Sequence, residues 1–222
     1  MRDPKDDDVD KMNPVYWAFH CLARFLFWLG FRRKVHNGEI FEQYKHEGAL
    51  LAANHVSYLD PPLVGSAIHH TIFFLARKTL FRFKFSGWLF PRLHAIPVDQ
   101  ERPDMASLRR IIKLVNADRQ VAMFPEGERT LDGKIKQGAP GMGLVIAKSK
   151  PLVIPMRVFG AYEAMPRGRS SRIRFEQIHL VVGQPFRFSN QELDAAVGRE
   201  GYQRLVDRVM EEIAAIELPE PE

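Results

Sequence analysis

Apolar residues recur along the chain with two spacings, and together they predict strands that alternate with helices. Short apolar runs typical of buried strands occur at residues 49–53, 71–76, 120–124, 151–158 and within 173–182. Apolar positions with helical spacing predict amphipathic helices at residues 104–116 and about 190–216. Pro155 is expected to break the fourth of these strands. This order predicts a single α/β domain with a mixed central sheet flanked by helices.

An aromatic-rich apolar run near the amino terminus, residues 14–31, predicts one more helix. His20 and Arg24 interrupt it on one helix face, because they are four residues apart. The run is shorter than the roughly 20 residues of a membrane span and contains an arginine, so a helix lying in the membrane interface fits better. Trp17 and Trp28 favour this interpretation over a helix that packs on its own domain.

Acidic residues are concentrated at the two ends of the chain. Residues 1–10 hold five acids and two bases, and residues 211–222 hold five acids and no base, which leaves 30 bases and 17 acids, a net charge of +13, in residues 11–210. Such a basic body suits an anionic partner: a membrane surface, a phosphorylated substrate, coenzyme A or nucleic acid. We divide the chain into an acidic amino terminus with a membrane-associating helix, residues 1–34, and the α/β domain, residues 35–222.

Composition and motifs narrow the range of partners. The single cysteine, Cys21, cannot form an intramolecular disulfide, and no histidine or cysteine spacing matches a metal-binding motif, so no metal site is expected. Bases alternate with phenylalanines at residues 77–90, as in membrane-facing patches, acyl-chain grooves and single-strand binders. No nucleic-acid-binding module accompanies this pattern, so no nucleic-acid partner is expected. Arg167 begins an arginine-rich loop that contacts either solvent or a phosphate of coenzyme A or lipid.

Residues 54–60 place a histidine and a carboxylate in the turn between a predicted strand and a helix that Pro61 can start. Strand ends of open α/β sheets present side chains to a ligand crevice. His55 is a candidate general base, and Asp60 would fix its tautomer and stabilise the imidazolium. On a straight helix the two side chains would lie roughly 140° apart, so the pair requires a bend. Taken singly, Asp60 also suits a helix cap and His55 a half-buried histidine.

Two sequence blocks resemble those of a known family. Asn54 and His55, followed by Asp60, resemble the H-x-x-x-x-D block of the glycerophospholipid acyltransferases, the family of 1-acylglycerol-3-phosphate acyltransferase. Residues 124–130 are similar to the F-P-E-G-x-R segment of that family. The two blocks have the family's order and separation.

Weaker likenesses at residues 95–99 and 152–155 extend the resemblance over about residues 35–186. It implies that residues 35–222 form an acyltransferase domain of phospholipid synthesis, with no bound cofactor. The enzyme would move a fatty acyl group from acyl-coenzyme A or acyl-carrier protein to a lysophospholipid acceptor, first of all 1-acyl-glycerol-3-phosphate. It would work on an anionic membrane surface, as a peripheral or monotopic protein at the cytoplasmic face.

A thioester is already activated, so direct attack by the acceptor hydroxyl, with His55 as base and Asp60 behind it, is sufficient. Ser57 offers a covalent alternative, but no G-x-S-x-G elbow surrounds it. In the family the second block binds the phosphate or glycerol of the acceptor. Arg129 suits a phosphate clamp, and Glu126 would orient Arg129 or the acceptor hydroxyl. The other candidate substrate-binding residues are Asn54, Ser57, Arg102, Gly127 (which permits a tight turn), Thr130 and Pro155.

Two positions depart from the family pattern. Glu128 stands where many relatives have threonine or another small residue, and Gln100 stands where arginine usually follows the aspartate. Either Arg102 replaces that arginine or the phosphate contact is weaker. These differences argue against 1-acyl-glycerol-3-phosphate as the acceptor more than against acyl transfer itself. The alternatives are another lysolipid acceptor, a lipid or thioester hydrolase, and a non-catalytic lipid-binding module.

Overall fold

The structure, a computed structural model, describes residues 12–99, 105–167 and 173–220. In these residues seven strands are β1 Lys34–His36, β2 Ala49–Ala53, β3 Phe73–Arg77, β4 Ala95–Val98, β5 Gln120–Met123, β6 Leu152–Phe159 and β7 His179–Val182. The α-helices are α1 Pro14–Phe31, α2 Glu39–Gln43, α3 Asp60–Ala67, α4 Lys84–Arg92, α5 Met105–Asn116, α6 Gly141–Ser149, α7 Ala161–Ala164, α8 Asn190–Asp194 and α9 Gly198–Ala215. A 3-10 helix, Lys78–Arg82, precedes α4.

The strands form one sheet in the order β1-β7-β6-β2-β5-β3-β4. Neighbouring strands are parallel except β6 and β7, so the sheet is mixed, which confirms the predicted class. At its centre β2 lies between β5 and β6, with Ala52 opposite Met123 on one side and Pro155 on the other.

Alternation along the central strands builds a core on each face of the sheet, because successive side chains point to opposite faces. In β2, Leu51 and Ala53 join the core under α1 and α3, whereas Leu50 and Ala52 join the core under α5, α6 and α9. All five residues of β2 are buried. The corner that follows β2 is therefore anchored on both faces.

Helix α1 packs on α3 along one side and leaves the other side exposed. Asn13 caps it by accepting a hydrogen bond from the Tyr16 N–H at 2.9 Å, and Pro14 occupies its first turn. Its buried face contributes Ala23 and Phe27, among others, to the core beneath α3. In the described part of the chain, no helix is both long and apolar enough to cross a membrane.

Three sequence expectations fail in detail. Pro155 does not break β6. It lies within the strand opposite Ala52, and its carbonyl accepts a hydrogen bond from the Gly183 N–H at 2.8 Å. The last predicted strand region, residues 173–182, forms a strand at His179–Val182 alone. The helix predicted at about 190–216 is two helices, since Val197 between them is extended and Gly198, the first residue of α9, has a φ of +69°.

Candidate active site

The carboxyl ends of β2 and β5 bring the two sequence blocks together, because these strands are parallel neighbours in the sheet. Residues 54–60 follow β2 and residues 124–130 follow β5. The Thr130 N–H donates to the His55 carbonyl at 3.0 Å, and the His55 N–H donates to Oε1 of Glu126 at 2.8 Å. The two blocks therefore form one hydrogen-bonded site.

His55 and Asp60 are in direct contact. Nδ1 of His55 lies 2.8 Å from Oδ2 of Asp60, and the same oxygen accepts the N–H groups of Val56 and Ser57 at 2.7 Å each. These backbone bonds fold the corner back on itself and supply the bend that the spacing requires. An ionised carboxylate can only accept, so the Nδ1–H of His55 donates to it, and the proton of a neutral imidazole is then on Nδ1 and not on Nε2.

Burial dominates the electrostatics of this pair. Asp60 is fully buried, which raises the pKa of its carboxyl, while the hydrogen bonds from His55, Ser57 and Val56 oppose that rise. Its second oxygen, Oδ1, is buried without a hydrogen-bond partner. The His55 ring stacks on Phe124, with ring centroids 4.2 Å apart and planes at 20°. The imidazole is thus held on two sides by the corner and by the second block.

Glu126 holds the two blocks together from within. Its Oε1 accepts from the His55 N–H, and its Oε2 accepts from the Lys136 N–H at 3.3 Å. Burial raises the pKa of Glu126 to about 7, against the lowering effect of these two hydrogen bonds. The sequence pointed to Arg129 or the acceptor as its partner, but in the structure both oxygens bind backbone N–H groups.

Arg129 lies over the ring of Tyr58, with its Cζ 3.3 Å from the ring centroid. Its Nη1 is buried and has no hydrogen-bond partner. Leaving a buried guanidinium nitrogen unpaired is costly, which makes Arg129 a candidate anion-binding residue. Tyr58, which sequence reasoning missed, keeps this fork in place by a cation–π contact.

Glu128 is engaged by two bases at the edge of the site. Nη1 of Arg167 donates to it at 2.6 Å and Nζ of Lys136 at 3.4 Å. Arg167 also donates to the Arg129 carbonyl at 2.7 Å. Of the two arginines of this loop that the structure describes, Arg167 and Arg174, Arg167 is therefore the one that these hydrogen bonds join to the site.

A cavity of about 470 Å³ opens beside these groups. Its polar lining consists of His55, Glu128, Arg129 and Arg167, together with His20, Ser66 and Arg77. Its apolar lining comes from several elements that are distant in sequence, among them Tyr16, Phe19, Pro62, Phe74, Leu80 and Phe90. The predicted amino-terminal helix and the segment at residues 77–90 thus both contribute walls.

The remaining predicted residues have supporting positions. Asn54 is buried and pairs with the backbone of Val158 through both ends of its amide. The Ser57 hydroxyl is fully buried and donates to the Met165 carbonyl at 2.8 Å. The buried Thr130 hydroxyl donates to Asp132 at 2.6 Å. None of these three side chains, nor that of Pro155 in β6, is among those that line the cavity.

Gly127 has a φ of +73°, in the left-handed region that glycine adopts without strain. It therefore serves the turn, as the sequence predicted. Arg102, the candidate replacement for the missing arginine, lies outside the described residues.

Sequence comparison decides the family. The model of the acyltransferase family matches residues 32–159, more than half of the chain, and this stretch includes both blocks of the site. The chain belongs to the acyltransferase family.

The chain is similar in sequence to individual members of the acyltransferase family. The chain is 31% identical to the 1-acyl-sn-glycerol-3-phosphate acyltransferase of Bacillus subtilis over 141 residues, 62% of this chain and 66% of that one. It is 24% identical to a chloroplastic 1-acyl-sn-glycerol-3-phosphate acyltransferase of Arabidopsis thaliana over 147 residues, 65% of this chain and 41% of that one. The matched stretch thus spans less than half of the plant acyltransferase.

The acyltransferase fold is also known from a solved structure. The crystal structure of PlsC, the 1-acyl-sn-glycerophosphate acyltransferase of Thermotoga maritima, superposes with a TM-score of 0.70 at 24% sequence identity. The superposition covers 99% of this chain and 86% of that protein. The single α/β domain is therefore the fold of an acyltransferase.

Proposed function

We propose that this chain transfers a fatty acyl group from an acyl thioester to the free hydroxyl of 1-acyl-glycerol-3-phosphate. The observation that carries the proposal is the contact of His55 with Asp60 at 2.8 Å, beside a cavity that is also lined by Arg129. One wall thus offers a base and an anion-binding group, and the rest is largely apolar. A lipid with a phosphate head and an acyl chain fits this combination.

The proposed reaction uses His55 as a general base. Its Nε2 takes the proton of the acceptor hydroxyl while that oxygen bonds to the thioester carbonyl carbon, and Asp60 stabilises the imidazolium. Collapse of the tetrahedral intermediate breaks the carbon–sulfur bond, and the departing thiolate recovers the proton from His55. The products are the ester and the free thiol, so protons and electrons balance.

Ser57 does not suit the covalent alternative. Its hydroxyl is fully buried and already bonded to the Met165 carbonyl, and it also accepts from the Leu59 N–H at 3.2 Å. These bonds close the corner rather than present a nucleophile. Direct transfer therefore remains the simpler mechanism.

Substrate binding follows from the cavity lining. Its volume lies within the roughly 300–1,000 Å³ of ligand sites, and its apolar walls suit an acyl chain. Arg129 would clamp the acceptor phosphate, since a guanidinium can form two parallel bonds to phosphate oxygens. The donor would be acyl-coenzyme A or acyl-carrier protein, and no bound cofactor is needed for this chemistry.

The exposed side of α1 supports binding of the protein to a membrane surface. Trp17, Phe25, Trp28 and Leu29 are each more than half exposed there. On the neighbouring α4, which contacts α1, Phe85 is 71% exposed. Such aromatic side chains favour the headgroup region. We therefore infer a peripheral or monotopic protein on anionic lipid at the cytoplasmic face.

Thiol release from acyl-coenzyme A and from acyl-carrier protein, measured with a panel of lysophospholipids in vesicles, tests the function. We expect release that depends on the acceptor and is highest with 1-acyl-glycerol-3-phosphate. His55→Ala should lower the rate by about 10²–10⁴-fold, the usual contribution of a general base.

The other functions would give different results. Equal thiol release with and without acceptor would identify a hydrolase. No release with any donor, together with binding of the lipids, would identify a binding module. If His55→Ala lacks the far-ultraviolet circular dichroism of the wild type, that variant is not folded, and His55→Gln is measured in its place.

A further inference from the structure

Four bases gather where α1 meets the end of α3. Nη1 of Arg33 donates to the Ser66 hydroxyl at 2.8 Å, and Nη1 of Arg24 hydrogen-bonds to Nε2 of His69. The ring of His20 packs edge-on against that of His69 at 5.9 Å. We refer to His20, Arg24, Arg33, Ser66 and His69 as the basic cluster.

The hydrogen bonds of the basic cluster leave its charge uncompensated. Within the described residues, its partners are neutral: the Ser66 hydroxyl, the His69 ring and the Gly65 carbonyl, which pairs with His20 at 3.1 Å. None of the ion pairs found in that part of the chain includes Arg24 or Arg33.

Electrostatic effects within the basic cluster also indicate that its charges are uncompensated. Burial lowers the pKa of Arg33 to about 10, and the charge of Arg24 lowers it as well. The pKa of His69 is lowered by burial and by Arg24, whereas the nearby acid Glu42 raises it. Glu42 itself pairs with Lys45 at 3.3 Å. The bases therefore repel one another at short range, and an anion between them would relieve that repulsion.

The basic cluster borders the exposed aromatic side of α1. Trp17, Arg24 and Trp28 project within roughly 40° of one another around the helix axis. Both tryptophans are exposed, by 60% and 67%. Tryptophans at the headgroup level beside an arginine are typical of a helix that lies among lipid phosphates.

We propose that the basic cluster is a phosphate-binding site for an anionic lipid headgroup, distinct from the phosphate site of Arg129. His20 and Ser66 line the cavity beside His55, whereas Arg24, Arg33 and His69 do not. Ser66 is six residues beyond Asp60, about 9 Å along α3, so a phosphate held by Arg24 and Arg33 would not be the one clamped by Arg129. Arg24 and Arg33 supply the charge and His69 a further ring nitrogen. The proposal rests on the inferred membrane binding, which it makes selective for anionic lipid.

Vesicle cosedimentation tests this site with Arg24→Gln/Arg33→Gln and a matched control, Arg109→Gln/Arg110→Gln. The control removes the same charge from the exposed side of α5, on the opposite face of the sheet. Vesicles of phosphatidylcholine alone report insertion of the apolar side of α1. Added phosphatidylglycerol reports the phosphate site without offering a substrate. We expect the first variant to lose about fivefold per arginine of the preference for phosphatidylglycerol, and the control to keep it.

Inorganic phosphate distinguishes a free anion from a headgroup. If phosphate, against chloride of equal ionic strength, raises the melting temperature of the wild type and of Arg129→Gln but not of Arg24→Gln/Arg33→Gln, the site also accepts free phosphate. If phosphate has no such effect while the lipid preference still depends on the two arginines, the ligand is the headgroup alone.

Equal lipid preference and equal phosphate response in the two double variants would overturn the site. Failure of the wild type to bind any vesicle would instead contradict the inferred membrane binding, and the phosphate titration would then decide the site by itself. Arg24→Gln alone serves where the double variant does not fold.

Discussion

The backbone N–H of His55 donates to Oε1 of Glu126 at 2.8 Å, across 71 residues of chain. The other oxygen of Glu126 is bonded to the Lys136 N–H, and the side chain is buried. Both acceptor oxygens therefore serve the protein backbone. We therefore propose Glu126 as a positioning residue that holds His55 in place, so that its effect on the proposed reaction would pass through His55.

We predict that Glu126→Gln lowers kcat about tenfold while the KM for the acceptor stays within about twofold. The amide can replace one acceptor oxygen but presents N–H groups where the second backbone donor points, and a lost hydrogen bond to a charged group costs about 1.5–3 kcal/mol. Steady-state kinetics with varied acceptor measure both constants. Glu211→Gln, exposed on α9, is the matched control. A raised KM with unchanged kcat would instead make Glu126 an acceptor-binding residue.

The raised pKa of Glu126 predicts a pH-dependent stability. Burial moves this pKa from 4.5 to about 7, so between these values the folded protein holds a proton that the unfolded chain has lost. The free energy of unfolding should therefore fall as the pH rises from about 4.5 to about 7, and level off above. Urea unfolding of wild type and Glu126→Gln at several pH values isolates the effect, because both proteins retain Asp60. Parallel curves for the two proteins would exclude it.

The local features of the site were predictable from the sequence because they depend on neighbouring residues. The apolar run at residues 49–53, followed by a polar corner and Pro61, specifies strand, turn and helix in one short stretch. The contact of His55 with Asp60 follows from the same stretch, once backbone N–H groups draw the carboxylate inward.

The long-range features were not predictable, because no local pattern encodes them. Strand order places β5 beside β2 although two strands intervene in the chain, and this adjacency gives Glu126 its partner. The same holds for Tyr58 under Arg129, since an exposed tyrosine in a corner carries no signal of its own. Phe19 lines the cavity because α1 packs on α3, and no pattern in the sequence distinguishes that packing from insertion into a membrane interface.

Arg129→Lys should raise the KM for 1-acyl-glycerol-3-phosphate about tenfold or more. Lysine keeps the charge but loses the planar fork that forms two bonds to phosphate and lies flat on Tyr58. The KM for monoacylglycerol, which lacks the phosphate, should change little if it is accepted at all. Kinetics with the two acceptors separate these effects, and an equal change for both would place Arg129 outside the phosphate site.

Tyr58→Phe and Tyr58→Ala form a matched pair that tests the platform under Arg129. Phenylalanine keeps the ring face, so the KM for the phosphate-bearing acceptor should stay near that of the wild type. Alanine removes the cation–π contact, worth about 0.5–2 kcal/mol, and should raise that KM about twofold to thirtyfold. If the phenylalanine variant were as weak as the alanine variant, the hydroxyl and not the ring would be the relevant group.

In the proposed function, Glu128 would compete with the acceptor phosphate for Arg167 and Lys136. The hydrogen bond from Arg167 lowers the pKa of Glu128, and Lys136 adds to that effect, so the carboxylate stays charged beside the cavity. A bound phosphate must share Arg167 with this carboxylate and is repelled by it. Glu128 should therefore weaken the binding of phosphate-bearing acceptors relative to uncharged ones.

We predict that Glu128→Gln lowers the KM for 1-acyl-glycerol-3-phosphate about threefold at low salt, with kcat unchanged. This change in KM corresponds to the free energy of an exposed ion pair, and it should become smaller as added salt screens the charges. Kinetics at two ionic strengths measure it, with Glu211→Gln as the control for the change in net charge. A higher KM would mean that Glu128 holds Arg167 in its binding position, because the loss of that support would then outweigh the relief of repulsion.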